Sequence, residues 1–214
     1  MNGGMQKLVE RLISQGILKT KQIINAFSSI DRADFVLAED KDRAYEDHPL
    51  ITLKNQTISQ PLTVAFMLEL LQVKVSEKIL DIGAGSGWQT ALLAHLVGDT
   101  GKVYAIERIP ELCEFGQVNV AKYSFIQKGI VEFICADGSQ GLAEQAPFDK
   151  IIVAAAAEEI PKALKKQLKI GGVLVLPVGG HEQAIYKIEK ISDNEYKEQI
   201  YPGFIFVPLV TIKE

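Results

Sequence analysis

Residues 79–89 read Ile79-Leu80-Asp81-Ile82-Gly83-Ala84-Gly85-Ser86-Gly87-Trp88-Gln89, and this stretch decides the fold. An apolar run carrying Asp81 breaks into glycines at 83, 85 and 87. Ala91, Leu92, Leu93, Leu96 and Val97 then follow at helical spacing. The pattern predicts a strand, a glycine turn and a helix. Glycine reaches positive φ and lets a ligand approach the backbone, and the helix start beyond it presents unpaired N–H groups. A small molecule is expected at this turn. Trp88 stands where a G-x-G-x-x-G fingerprint would place its third glycine, which disfavours a nicotinamide oxidoreductase. Glu107 closes the next strand 20 residues after Gly87, where a carboxylate can accept from both hydroxyls of a ribose. Turn and carboxylate together point to an adenosine-containing ligand.

Outward from the turn, strands and helices alternate. Strands are expected over residues 78–81, 102–107, 131–136, 150–154 and 173–177. Helices are expected over 88–97, from Pro110 to about residue 123, and over 161–168. This alternation implies a doubly wound, mainly parallel sheet covered on both faces. Residues 184–191 and 199–207, parted by Asp193-Asn194, predict a terminal hairpin. Upstream, residues 5–16 and a segment capped by Thr20 predict two helices. Residues 31–55 are charged and irregular, and a connector of that length is more often functional than idle. An apolar run at 63–71 follows Pro61 in a helical first turn. One domain spanning 1–214 is expected: an N-terminal helical and loop extension (1–58), an α/β core (59–180) and a C-terminal hairpin with a tail (181–214).

The chain has 214 residues, 47% of them hydrophobic, enough for a sizeable core. A formal charge of −4 gives no basic footprint, which disfavours a dedicated nucleic-acid binder. No signal peptide and no membrane-length apolar run are visible, so a cytoplasmic protein is expected. Cys113 and Cys135 lie in apolar surroundings and are expected to be two buried reduced thiols rather than a pair. No Cys/His cluster has zinc spacing, so no metal is expected.

Among residues able to carry chemistry, Asp137-Gly138 ends a strand where the carboxyl edge of the sheet borders the expected crevice, and Asp137 could accept from an adenine amino group. Asp81 could hold either the glycine turn or the ligand. Ser59 would need a base to act as a nucleophile, yet the histidines are His48, His95 and His181, and nothing local marks a triad. From the bare residues Ser59 reads as a helix-start residue, at the N-cap or N′ position before Pro61.

Several segments together resemble the protein-L-isoaspartate O-methyltransferase family. They are Asp31-Arg32-Ala33-Asp34-Phe35-Val36, Tyr45-Glu46-Asp47-His48-Pro49-Leu50, Gln56-Thr57-Ile58-Ser59-Gln60-Pro61, Ile106-Glu107-Arg108, Asp137-Gly138, Gly171-Gly172-Val173-Leu174 and Phe206-Val207-Pro208-Leu209. The glycine turn is common to many methyltransferases, whereas the Gln-Thr-Ile-Ser-Gln-Pro segment with a terminal Val-Pro-Leu is specific. The resemblance implies a class I, Rossmann-like fold, and S-adenosylmethionine as methyl donor with S-adenosylhomocysteine as product. The acceptor it implies is the free carboxylate of L-isoaspartyl, and D-aspartyl, residues in damaged proteins and peptides. The methyl ester would then cyclise to a succinimide, initiating repair.

By the same resemblance Ser59 is the active-site serine, and Thr57, Ile58 and Ser59 border the donor. Asp81, Gly83, Ala84, Gly85, Glu107, Arg108, Asp137 and Gly138 complete the donor site. Val207, Pro208 and Leu209 join Thr57 and Ser59 on the peptide side. A monomer is expected. Leu53, Asn55, Ala154 and Ile205 depart from the family pattern and bear on substrate scope. The rival readings are a methyltransferase of this fold with another acceptor, and a module that binds the donor without turning it over.

Overall fold

A computed structural model describes residues 3–209. Two helices open the chain, α1 (Gly3–Ser14) and α2 (Lys21–Ser29). The irregular segment that follows folds into short 3-10 turns and a small antiparallel pair, β1 (Leu50–Ile51) with β2 (Thr57–Ile58), that the sequence pattern did not announce. Then come α3 (Pro61–Leu71), β3 (Lys78–Ile82), α4 (Trp88–Val97), β4 (Lys102–Glu107), α5 (Pro110–Ala121) and β5 (Val131–Cys135). The chain continues through β6 (Phe148–Val153), α6 (Lys162–Lys166), β7 (Leu168–Val178), β8 (Ala184–Lys190) and β9 (Tyr196–Pro202). The last residues of the expected tail, 210–214, lie outside the described residues.

One seven-stranded sheet runs in the order β5-β4-β3-β6-β7-β8-β9, parallel from β5 to β7 and antiparallel beyond. From β3 the chain winds outward through β4 to β5, then returns to the other side of β3 as β6. The crevice at the carboxyl ends of β3 and β6 is therefore the topological switch point, where open α/β sheets bind ligands. Alternation along β3 sends Ile79 to one face and Leu80 and Ile82 to the other, each in its own buried cluster. Both faces are dry, which is why these strands are nearly continuous apolar runs.

Helix α1 buries Met5, Leu8, Val9 and Leu12, and α2 packs Ile23, Ala26 and Phe27 toward α4. Phe27 meets Trp88 edge to face at 5.5 Å. Both rings are buried, and truncating Phe27 to alanine would cost about 3–5 kcal/mol. The N-terminal helices thus brace the first turn of α4, immediately behind the glycine turn.

Four expectations need correction. The helix expected over 161–168 is only Lys162–Lys166, because Leu168 already pairs with Phe148 and begins a strand of 11 residues. The last strand ends at Pro202 instead of 207, because Gly203 at φ +94° turns the chain off the sheet. Thr20 occupies the N-cap position of α2 but makes no capping bond; its hydroxyl donates to Glu69 at 2.7 Å. Cys113 and Cys135 are not free thiols but a disulfide. Cys113 is fully buried in α5, whereas Cys135 closes the edge strand β5 and is exposed. Helix α5 lies back across β5 and brings the two together, a tertiary proximity that a separation of 22 residues does not reveal.

Candidate active site

The glycine turn owes its shape to backbone geometry and to a close neighbour. Gly83, Gly85 and Gly87 all have positive φ, at +78°, +56° and +88°. A Cβ on Gly87 would lie 2.8 Å from the Gly116 carbonyl, and one on Gly116 would strike the Gly85 carbonyl. Paired glycines therefore let α5 sit directly on the turn. Asn119 Nδ2 completes the contact by donating to the Ser86 carbonyl at 3.0 Å. Gly116 and Asn119 lie mid-helix, where sequence pattern alone marks neither.

Asp81 does not line the cavity beside the turn. It is fully buried, accepting from Gln89 Nε2 at 2.8 Å and Thr90 Oγ1 at 2.6 Å. Of the two readings left open for Asp81, these bonds favour holding the turn onto α4. Burial pushes its pKa up to about 6, opposed by the Thr90 and Gln89 bonds and reinforced by the negative charge of Glu107.

The cavity has a volume of about 390 Å³ and lies at the switch point. Gly83, Ala84 and Gly85 line it together with Glu107, Arg108, Asp137 and Gly138. Glu107 is buried, and its two oxygens accept from the Gly85 N–H at 3.0 Å and the Ile109 N–H at 2.9 Å. The carboxylate is thus fixed in place with acceptor capacity to spare, since each oxygen carries further lone pairs. Asp137 is held by the Ser139 N–H at 2.8 Å. Gly138 must lack a side chain, because a Cβ there would lie 2.8 Å from Ile82. Ile106, Ile109 and Leu112 supply apolar lining that suits the faces of an aromatic ring.

The opposite wall comes from distant sequence. Thr57, Ile58 and Ser59 border the same cavity, as do Val207, Pro208 and Leu209. After Gly203 the chain crosses the end of the sheet, where the Ala156 N–H donates to the Val207 carbonyl at 2.8 Å and the Leu209 N–H to the Ala156 carbonyl at 2.7 Å. These bonds suspend Pro208 between the first cavity and a second, of about 780 Å³, that shares Pro208 and Leu209 with it. Of the two helix-start positions expected for Ser59 it takes N′; the N-cap of α3 is Gln60, with Pro61 in the first turn. Ala154 also lines the first cavity, while Ile205 stands 91% exposed beside the 207–209 strap.

None of the three histidines lines the first cavity. His95 bonds Asn25, His48 meets Glu46 at the surface, and His181 borders the second cavity. Among the described residues no three His, Cys, Asp or Glu side chains cluster to hold a metal ion, and no helix is long and apolar enough to cross a membrane.

Sheet order, switch-point cavity and the Gly85–Glu107 pairing define a class I, Rossmann-like methyltransferase fold. The particular family follows from whole-chain comparison. The family described as Protein-L-isoaspartate(D-aspartate) O-methyltransferase (PCMT) matches residues 3–214, and the chain belongs to it. A protein-L-isoaspartate O-methyltransferase of Methanopyrus kandleri is 41% identical over 96% of this chain and 90% of its own length. One from Dictyoglomus turgidum is 45% identical over 95% and 90%. Among solved structures, a Plasmodium falciparum beta-aspartate methyltransferase (PCMT) in complex with S-adenosyl-L-homocysteine superposes with a TM-score of 0.88 at 26% identity, covering 98% of this chain and 99% of that one.

Proposed function

We propose that this protein transfers the methyl group of S-adenosylmethionine to the free carboxylate of L-isoaspartyl residues in damaged proteins and peptides, the step that opens their repair. The observation that carries the reading is one cavity bordered on one side by the 83–85 turn, Glu107, Asp137 and Gly138, and on the other by Thr57, Ser59, Val207, Pro208 and Leu209.

The donor site fits an adenosine-bearing sulfonium. Glu107 faces the cavity with free acceptor capacity for ribose hydroxyls, Asp137 offers an acceptor for an amino group, and Ile106, Ile109 and Leu112 offer apolar surface for a base. The donor, when bound, supplies an electrophilic methyl group; all else falls to the chain. An acceptor carboxylate is already ionised at neutral pH, since reference carboxyl values lie near ~4, so no general base has to be recruited. This accords with a cavity that no histidine lines. Ser59 then serves as a hydroxyl donor that orients the carboxylate, and the 207–209 strap offers its edge to the peptide. Catalysis rests on alignment and exclusion of water, and oriented reactants are worth up to about 7–11 kcal/mol.

The test offers labelled donor with an isoaspartyl peptide and with its normal aspartyl twin. Base-labile methyl ester is expected on the isoaspartyl form alone. Equal labelling of both would point to another acceptor, and binding of donor with no labelling of either would leave only a donor-binding module.

A further inference from the structure

Arg32 belongs to neither wall of the cavity, yet it touches the chain behind both. Its side chain is completely buried, and its two terminal nitrogens are fully committed to backbone carbonyls. Nη1 donates to Ala44 at 2.8 Å and Glu46 at 3.3 Å; Nη2 donates to His48 at 3.1 Å and to Ser59 itself at 3.1 Å. The guanidinium also lies 5.3 Å over the ring of Trp88, the first residue of α4 after the glycine turn. Neighbouring ties extend this knot. Gln60 Nε2 donates to the Asp47 carbonyl at 3.0 Å, and the Leu62 N–H donates to Asp47 Oδ1 at 2.9 Å.

We propose that Arg32 is a positioning residue for methyl transfer: it fixes the Ser59 backbone against the first turn of the donor-side helix. The inference rests on the role of Ser59 given above. A buried charge is costly and seldom the best way to gain stability alone, so its presence here calls for a geometric reason. Only a planar fork of donors can gather four carbonyls from residues 44–48 and 59 while its charge lies over an indole face. A lysine ammonium has three donors at one point and no flat face. The hub therefore sets the distance between the serine and the turn by its shape, and its charge merely pays for the desolvated carbonyls. Burial lowers its pKa to about 10, partly offset by Asp47 and Glu46, so it stays charged throughout the neutral range.

The test compares the full-length wild type with Arg32→Lys, and with Phe35→Leu as a control that loosens the same N-terminal core without touching Ser59 or the cavity. Arg32→Lys is expected to lower kcat roughly tenfold or more, as small misplacements of reacting groups do. Its affinity for S-adenosylhomocysteine, by calorimetry, should stay within about twofold of wild type, a range too small to report a lost hydrogen bond. Amide exchange at Leu62 should quicken while that at Gly85 does not. The control is expected to lose thermal stability and keep its kcat. A kcat retained in Arg32→Lys, or a kcat that falls equally in the control, would overturn the proposal; so would donor affinity falling in step with kcat. Should Arg32→Lys fail to fold, Arg32→Gln carries the test, because it too cannot reach all four carbonyls, with the same split expected and an unchanged kcat overturning the proposal. Wild-type labelling of the isoaspartyl peptide judges the functional reading separately, and Leu62 exchange judges Arg32 whatever the acceptor.

Discussion

The two walls of the cavity are built in opposite ways. The donor wall comes from consecutive strand ends, at residues 83–85, 107–109 and 137–138, and it is braced by its own neighbourhood. Glu107 takes two nearby N–H groups, Asp81 ties β3 to the first turn of α4, and α5 rests on the turn through Gly116. The acceptor wall joins residues 57–59 to residues 207–209, about 150 positions apart in the chain. Its supports are equally remote: the Arg32 hub for Ser59, and the Ala156 backbone for the strap. On the proposed reading, donor binding is thus a local property of the α/β core, whereas acceptor alignment depends on the whole chain being folded. An exposed ion pair, Lys54 to Glu111 at 2.6 Å, joins the β1–β2 hairpin to α5.

Paired substitutions should pull the two walls apart. Glu107→Ala removes a charged acceptor and leaves the Gly85 and Ile109 amides unpaired, so affinity for S-adenosylhomocysteine should fall roughly 100-fold, about 3 kcal/mol. Ser59→Ala should leave that affinity nearly intact and lower kcat by about tenfold, near 1.4 kcal/mol. Calorimetry and steady-state kinetics on both variants decide the matter; if Glu107→Ala still binds normally, the ribose assignment is wrong.

A second way to break the contrast is to unlock the donor wall. The Cys113–Cys135 bond ties α5 to the end of β5, two residues before Asp137. Closing a loop of 22 residues is worth about 3 kcal/mol of stability by chain entropy. Reduction should therefore lower the denaturation midpoint by that order, with the double Cys→Ser variant insensitive to reductant. Denaturation curves with and without a dithiol check this, and identical midpoints for the reduced and oxidised protein would show the link to be energetically idle.

A last test, by pH, concerns Asp81. Its folded pKa of about 6 lies above the ordinary 3.8, so the folded state holds the proton more tightly than the unfolded one. The stability this gives is fully present below about pH 4 and is lost as pH rises through 6, a change of the order of 2–3 kcal/mol from this residue. Carboxyl-carbon NMR should show a midpoint near 6. A midpoint near 4 would mean that Asp81 is solvated and that the turn is held by other means.

Much of the donor wall could be read from the chain because its parts obey local rules. Glycine spacing, a carboxylate one strand later and strand–helix alternation locate the 83–85 turn, Glu107, Asp137 and Gly138 without knowledge of distant contacts. Asp81 was legible as chemistry but not as direction, because which side of β3 faces α4 depends on how the helix docks. Ser59 shows the reverse case: its local signature is that of a helix start, and its place at the cavity depends on Arg32 and the 44–48 segment.

The sequence by itself determined the class of fold, the family resemblance and the location of the donor turn, since hydrophobic period and glycine backbone freedom act within a dozen residues. Tertiary structure alone decided the pairing of Cys113 with Cys135, the edge position of β9, the crossing of the 207–209 strap and the buried Arg32 hub. Each of these joins groups that are close only after the sheet has ordered its strands. Contacts of that kind leave no period in a sequence, because the entropy of closing long loops is met by the fold as a whole and not by any local preference.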